Sequence, residues 1–252
     1  MSDPFHSPKG RLARANEHID EIARQGKAFF ETEPYTTTIE IEPKTGNQLY
    51  KFKMTRPLPD NITHLTVECL EALRSALDQA AFTTSALSGK PTAKSAYFPI
   101  ADDVAGLENV IKGRCKDLPP DIITFFRALN PYKGGNYPVW ALNKLCNTNK
   151  HKLIAPVGLF PRQIRLSKAV MTGEGYFPNF AWDIEKNELV FAVIPPGGNL
   201  QYDFNLTHSI TFWDVEAVSG EEVGPVLEHI ARVVERIVLG TEAEAARLGL
   251  IK

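Results

Sequence analysis

The fold depends on one stretch of sequence, LNKLCNTNKHKLIAPVGLF, which covers residues 142–160. Up to Lys152 the apolar residues recur at helical spacing, whereas Leu153–Val170 has the character of strands. That second part predicts two strands, broken at Pro156 and at Phe160-Pro161. Because the predicted helices and the predicted strands come in separate runs, the sequence favours an α+β fold over an alternating β-α-β fold.

Before this transition the sequence predicts a helical unit over residues 60–152. Its longest helix opens at Asp60 or Asn61 and ends near Leu87, where Ser88-Gly89 stops it. Three shorter helices follow. They are predicted from Asp102 or Asp103 to about Lys112, from Pro119-Pro120 to Leu129, and from Pro138 onward.

The remaining segments flank this helical unit on both sides. A helix and a β-hairpin are predicted over residues 8–56, and four to six antiparallel strands over residues 153–215. A closing amphipathic helix is predicted over residues 223–239, with a separate short helix after Thr241. Since no long linker interrupts the chain, we expect residues 1–252 to form a single α+β domain. The sequence does not decide whether the hairpin packs on the helical unit or on the later strands.

Composition narrows the possible function classes. The net charge of −2 provides no general attraction to nucleic acid or to an anionic membrane. Three cysteines without a Cys-x-x-Cys motif argue against a disulfide framework and against a zinc site, and no phosphate-loop or dinucleotide fingerprint occurs. We therefore expect no metal, no cofactor and no membrane association, and a cytoplasmic location.

Polar side chains interrupt the apolar face of the long helix in the segment LRSALDQ, residues 73–79. Arg74 falls at the edge of the apolar arc, and Asp78 lies one turn further on, within reach of Arg74. One interpretation is an intrahelical ion pair whose arginine stem covers apolar surface, worth about 0.3–0.5 kcal/mol if it is exposed. The other is that the pair belongs to a functional site.

A second polar segment closes the last predicted helix. Asn147 and His151 share a helix face with Trp140 and Lys144, and Lys150 adjoins His151. Burying such groups costs free energy unless they find partners, so we expect the two polar segments to meet. The alternative is structural, because cationic side chains at the carboxyl end of a helix are favourable for the helix dipole.

Four short motifs resemble sequences found in a broad group of uncharacterised bacterial proteins. They are LRSALD at 73–78, FPI at 98–100, NPY at 130–132 and LNKLCNTNKH at 142–151. More distantly, the helical part is similar to HEPN domains, the helical bundles of many toxin, abortive-infection and CRISPR-associated ribonucleases. The resemblance implies an arginine followed, after four to six residues, by a histidine that often works across a dimer interface. His151 matches that histidine, Lys144 stands in place of the arginine, and Asn147 matches a polar companion.

These observations predict a bacterial defence or toxin protein that acts on RNA or binds a nucleotide, with a homodimer as an assembly that the resemblance allows. His151 is the predicted general acid and base, while Arg74 and Lys150 hold the scissile phosphate. Asp78 and Asn147 orient the cationic groups. The competing prediction is a non-enzymatic binding or scaffold protein in which the same polar cluster is structural.

Overall fold

The computed structural model of this chain describes residues 3–149, 156–179, 182–183, 186–212 and 215–251, with the side chains of 148–149, 156–167 and 204–208 left out. Six helices and six strands lie within those residues. In chain order they are α1 (His6–Glu31), β1 (Tyr35–Ile41), β2 (Gln48–Met54), α2 (Asp60–Leu87), α3 (Val104–Arg114), α4 (Pro120–Ala128), α5 (Tyr137–Asn149), β3 (Pro156–Thr172), β4 (Trp182–Asp183), β5 (Glu188–Ile194), β6 (Asn199–Phe212) and α6 (Val223–Arg247). The predicted α+β class is confirmed.

Several helix ends lie where the local chemistry predicts them. The Asp103 carboxylate caps α3 by accepting a hydrogen bond from the Gly106 amide at 2.7 Å. Pro120 occupies the first turn of α4, and Gly89 follows α2 with a φ of +93°, a conformation that favours glycine. Within the described parts of the chain, every helix is too short or too polar to cross a membrane.

The chain divides into two compact units. Unit 1 consists of Met1–Ala23, Asp60–Pro156 and Phe212–Lys252, and unit 2 of Arg24–Pro59 and Val157–Thr211. The predicted helical unit therefore lies in unit 1, while the hairpin and strands β3–β5 lie in unit 2. The expectation of one domain over residues 1–252 stays a prediction.

In unit 1 the apolar face of α2 forms the centre of the core. Leu70, Leu73 and Leu77 are fully buried, and α2 packs against both α5 and α6. The prediction of a separate helix after Thr241 was wrong, since α6 continues unbroken to Arg247. Thr241 fits inside a helix because its hydroxyl donates to the Ile237 carbonyl at 2.7 Å.

In unit 2 the hairpin joins the later strands in a four-stranded sheet of order β1-β2-β5-β4. The β1–β2, β2–β5 and β4–β5 pairs are antiparallel, and the β2–β5 register shifts between Tyr50 and Lys51. Tyr50, Phe52 and Phe191 are fully buried in the core of this unit. The sequence predicted the hairpin but left its packing partner open.

Strands β3 and β6 form a separate two-stranded sheet. The prediction of two strands broken at Pro156 and Phe160-Pro161 was wrong, because β3 runs without interruption from Pro156 to Thr172. Proline has no N–H to donate to a neighbouring strand, so it disrupts a central strand, which has a neighbour on each side. A strand with a neighbour on one side only tolerates proline where the missing N–H would face away from that neighbour. The four strands β3–β6 agree with the four to six predicted for this part of the chain.

Candidate functional site

The Arg74–Asp78 pair on α2 fastens the segment before α3 to the helix. Arg74 Nη2 donates to Asp78 Oδ1 and to the Phe98 carbonyl, both at 3.1 Å. The Phe98 amide in turn donates to Asp78 Oδ1 at 3.1 Å. The predicted contact between Arg74 and Asp78 is confirmed, and it belongs to a network that reaches beyond a single helix.

Two features of this network are unfavourable: the burial of the Asp78 carboxyl group, and a nitrogen of Arg74 that has no acceptor among the described residues. Burial raises the pKa of Asp78, and the neighbouring Arg74, the Phe98 amide and Arg114 offset only part of that rise. Arg74 Nη1 is buried and has no hydrogen-bond partner among the residues that the structure describes. A buried donor without an acceptor costs about 1–3 kcal/mol.

Both predicted polar segments line one cavity of unit 1, named here the Arg74 cavity. Its volume is about 520 Å³, within the usual range for sites that bind small molecules. The lining residues are Glu71, Arg74, Ser75, Asp78, Tyr97, Ile100, Val110, Arg114, Asn143, Cys146 and Asn147. Arg74 and Asp78 therefore line the same cavity as Asn147, while a direct contact between the two segments stays a prediction.

Four polar members of the lining were missed by sequence reasoning: Glu71, Tyr97, Arg114 and Asn143. Tyr97 is 45% exposed and adjoins the FPI motif, which was the one signal that pointed towards it. Arg114 ends α3 and is exposed, and Asn143 lies one helical turn before Asn147 on α5. The sequence pattern gave no reason to select Arg114 or Asn143, because their proximity to Arg74 comes from helix packing alone.

Lys144 lies in a different cluster, around Trp140. Its Nζ is 2.8 Å from Asp102 Oδ1, and the same oxygen accepts a hydrogen bond from Trp140 Nε1 at 2.8 Å. Lys144 and Lys133 lie 5.6 and 5.0 Å from the centre of the Trp140 ring. These contacts lower the pKa of Asp102, chiefly through Lys144, and they place Lys144 away from the lining of the Arg74 cavity.

The predicted acid–base residue His151 and its neighbour Lys150 lie outside the described residues. Their roles stay predictions that depend on sequence alone. His151 follows Asn147 by four positions, and Asn147 is an exposed residue that lines the Arg74 cavity.

The three cysteines are buried and are not poised as nucleophiles. Burial raises the pKa of Cys69 to about 12 and that of Cys115 to about 11. Cys146 Sγ lies 3.5 Å from the Leu70 carbonyl, where it packs α5 against α2. In the described part of the chain no three histidine, cysteine or carboxylate side chains are placed to hold a metal ion.

No match is found when the chain is compared with protein-family models, with curated proteins or with solved structures. The HEPN-like resemblance accordingly stays a prediction. The chemistry of the Arg74 cavity is therefore the starting point for a functional assignment.

Proposed function

We propose that the Arg74 cavity binds one nucleotide, either free or as part of an RNA chain. One observation carries the proposal: a single cavity brings together two guanidinium groups, two side-chain amides and a partly exposed tyrosine ring. The guanidinium groups match the phosphate, and the amides and the tyrosine ring match the base.

The phosphate is assigned to Arg74 and Arg114. Guanidinium groups bind phosphate oxygens through paired, charge-assisted hydrogen bonds. Arg74 and Arg114 both line the cavity, so a phosphate bound there has two guanidinium groups beside it. Because Arg74 Nη2 is already held by Asp78 and Phe98, the guanidinium plane is fixed before a ligand arrives.

The base is assigned to Tyr97 and to the two asparagines. RNA-binding proteins stack unpaired bases on aromatic side chains, and each stack contributes about 1–3 kcal/mol. Tyr97 retains enough exposure for such contact. The amides of Asn143 and Asn147 offer both donors and acceptors, which is the chemistry that reads the edges of bases.

The carboxylates of the lining fit a ribose better than a second phosphate. Glu71 lies in the same cavity, and a carboxylate accepts hydrogen bonds from ribose hydroxyl groups. The 2′-hydroxyl is the group by which a protein distinguishes RNA from DNA. This assignment makes the proposed ligand a ribonucleotide.

The binding proposal is tested with the Tyr97→Ala variant and a matched control, Tyr176→Ala, which changes a tyrosine that is 59% exposed in unit 2. Calorimetric titration of a ribonucleoside monophosphate should show that Tyr97→Ala raises Kd roughly 5- to 150-fold. Tyr176→Ala should bind as the wild type does. If the wild type binds no ribonucleotide, or if both variants bind equally, the proposal is wrong.

For the reaction, we propose the role that the sequence predicts: a cytoplasmic bacterial defence or toxin protein that cleaves RNA, with His151 as general acid and base and Lys150 on the phosphate. General acid–base catalysis contributes roughly 10²–10⁴ in rate, so His151→Ala should lose that factor while nucleotide affinity remains. His64→Ala, which alters an exposed histidine of α2, is the matched control. Equal RNA cleavage by wild type and His151→Ala would remove the catalytic assignment and leave the binding site.

A second candidate function is a non-enzymatic scaffold, and the Arg74–Asp78–Phe98 network favours it. If the network serves packing alone, Arg74→Met should lower the melting temperature, because the Asp78 carboxylate is left without its cation. Arg114→Gln separates the two candidates, since Arg114 is exposed and outside that network. If the protein is a scaffold, Arg114→Gln should not change the affinity for any ligand. If the cavity is a nucleotide site, the same variant should bind the phosphate more weakly.

A further inference from the structure

Strand β1 is an outer strand of the four-stranded sheet in unit 2, and Glu40 is the one charged residue of this strand. Natural outer strands are shortened, bulged, or marked with lysine or proline. The β1 sequence, YTTTIEI, contains neither lysine nor proline. All seven residues pair with β2 in a register without a shift, so the strand presents a regular free edge.

Two apolar side chains at this edge remain uncovered. Ile39 and Ile41 are 53% and 61% exposed, although both lie on the face of the sheet that carries the buried Tyr50 and Phe52. The apolar face of the sheet therefore continues past its own core to the free edge. A further strand beside β1 would cover both isoleucines.

We propose that a second copy of this chain occupies that edge, with its β1 antiparallel to the first and Thr38 on the two-fold axis. In this register Tyr35 faces Ile41 of the second copy, Thr37 faces Ile39, and Thr36 faces Glu40. All seven residues are paired: the Thr38 pair lies on the axis and occurs once, and each of the other three pairs occurs twice, as a two-fold interface requires.

The side chains of β1 suit this self-pairing on both faces of the sheet. On the apolar face, each exposed isoleucine lies opposite an aromatic ring or a threonine methyl group. On the other face, Glu40 meets a threonine hydroxyl rather than a second carboxylate, so no like charges oppose each other.

The proposal is independent of the nucleotide site and predicts a two-fold dimer in solution. Light scattering coupled to size-exclusion chromatography should give twice the mass of one chain for the wild type. The Ile39→Lys/Ile41→Lys double variant should be monomeric, because it places charge on the edge without disturbing a buried residue. Val104→Lys, which changes an equally exposed residue of α3, should remain dimeric.

The register is tested separately by disulfide formation under mild oxidation. Thiols introduced by Thr38→Cys face each other across the axis and should form a covalent dimer. The three native cysteines are buried, so they should not form competing cross-links. Thr36→Cys is the matched control, because its thiol faces Glu40 of the second copy and lies far from the equivalent thiol of that copy. A wild type that stays monomeric, a dimer that survives the lysine substitutions, or equal cross-linking of both cysteine variants would overturn the proposal.

Discussion

At Asp78 the environment of a single carboxyl group makes the stability of the protein depend on pH. Burial raises its pKa above the ordinary value of 3.8, so the ionised form costs free energy in the folded state. This cost is fully present above the raised folded pKa. It disappears as the pH falls through that folded pKa towards the unfolded value.

Asp78→Asn removes this titration and should therefore change how stability depends on pH. The melting temperature of Asp78→Asn minus that of the wild type should be largest near neutral pH. This difference should decrease as the pH falls. Asp121→Asn, at an exposed carboxyl group on α4, serves as the control. Parallel melting curves for wild type and Asp78→Asn across the acid range would show that burial of Asp78 has no energetic consequence.

The cysteines make a second prediction at the scale of residues. All three are buried, and burial holds the pKa of Cys69 near 12 and that of Cys115 near 11, so thiolate is scarce at neutral pH. A thiol reagent should therefore label none of them in the folded protein and all three after unfolding. Rapid labelling of the native protein would contradict the burial of Cys69, Cys115 and Cys146.

At the scale of elements, the loop between α4 and α5 positions the helix that carries Asn143 and Asn147. A side chain added at Gly135 would collide with the backbone oxygen of Asn130, whereas one added at Gly134 meets only ordinary contacts. Gly135→Ala should therefore cost about 1–3 kcal/mol of unfolding free energy, as overpacking does. Chemical denaturation is the measurement, and Gly134→Ala is the matched control that should stay close to the wild type.

Elements with local signals were the ones that the sequence predicted well. The Asp103 cap, the prolines before α4 and Gly89 after α2 act on neighbouring backbone groups, so their effect is visible in the sequence. The uninterrupted β3 and the attachment of the hairpin to β5 depend on partners far away in the chain. A period-2 pattern identifies a strand but does not select its neighbour.

The same distinction explains how much of the candidate site was predicted. Arg74, Asp78 and Asn147 stood out because each places a polar group beside an apolar helix face. Tyr97 and Arg114 did not, because only the packing of three elements brings them to the cavity. Lys144 was assigned to the site from its helix face, but its ion pair with Asp102 holds it beside the Trp140 ring.

At the scale of the whole molecule, the net charge of −2 limits how the protein can bind RNA. A cavity for one nucleotide engages one or two phosphates, and each contact with single-stranded nucleic acid contributes a slope of about −0.7 to log K against log salt. We therefore expect a shallow salt dependence for a short RNA, measured by titration at several ionic strengths. A steep dependence, typical of many phosphate contacts, would indicate an extended surface instead of this cavity.

The most direct test of the nucleotide site is a crystal structure of the wild-type protein with a ribonucleoside monophosphate. We predict density in the Arg74 cavity, with the phosphate on the guanidinium groups of Arg74 and Arg114, and with the base against Tyr97. Density elsewhere on the protein, or an empty Arg74 cavity in crystals grown with the ligand at saturating concentration, would contradict the central claim.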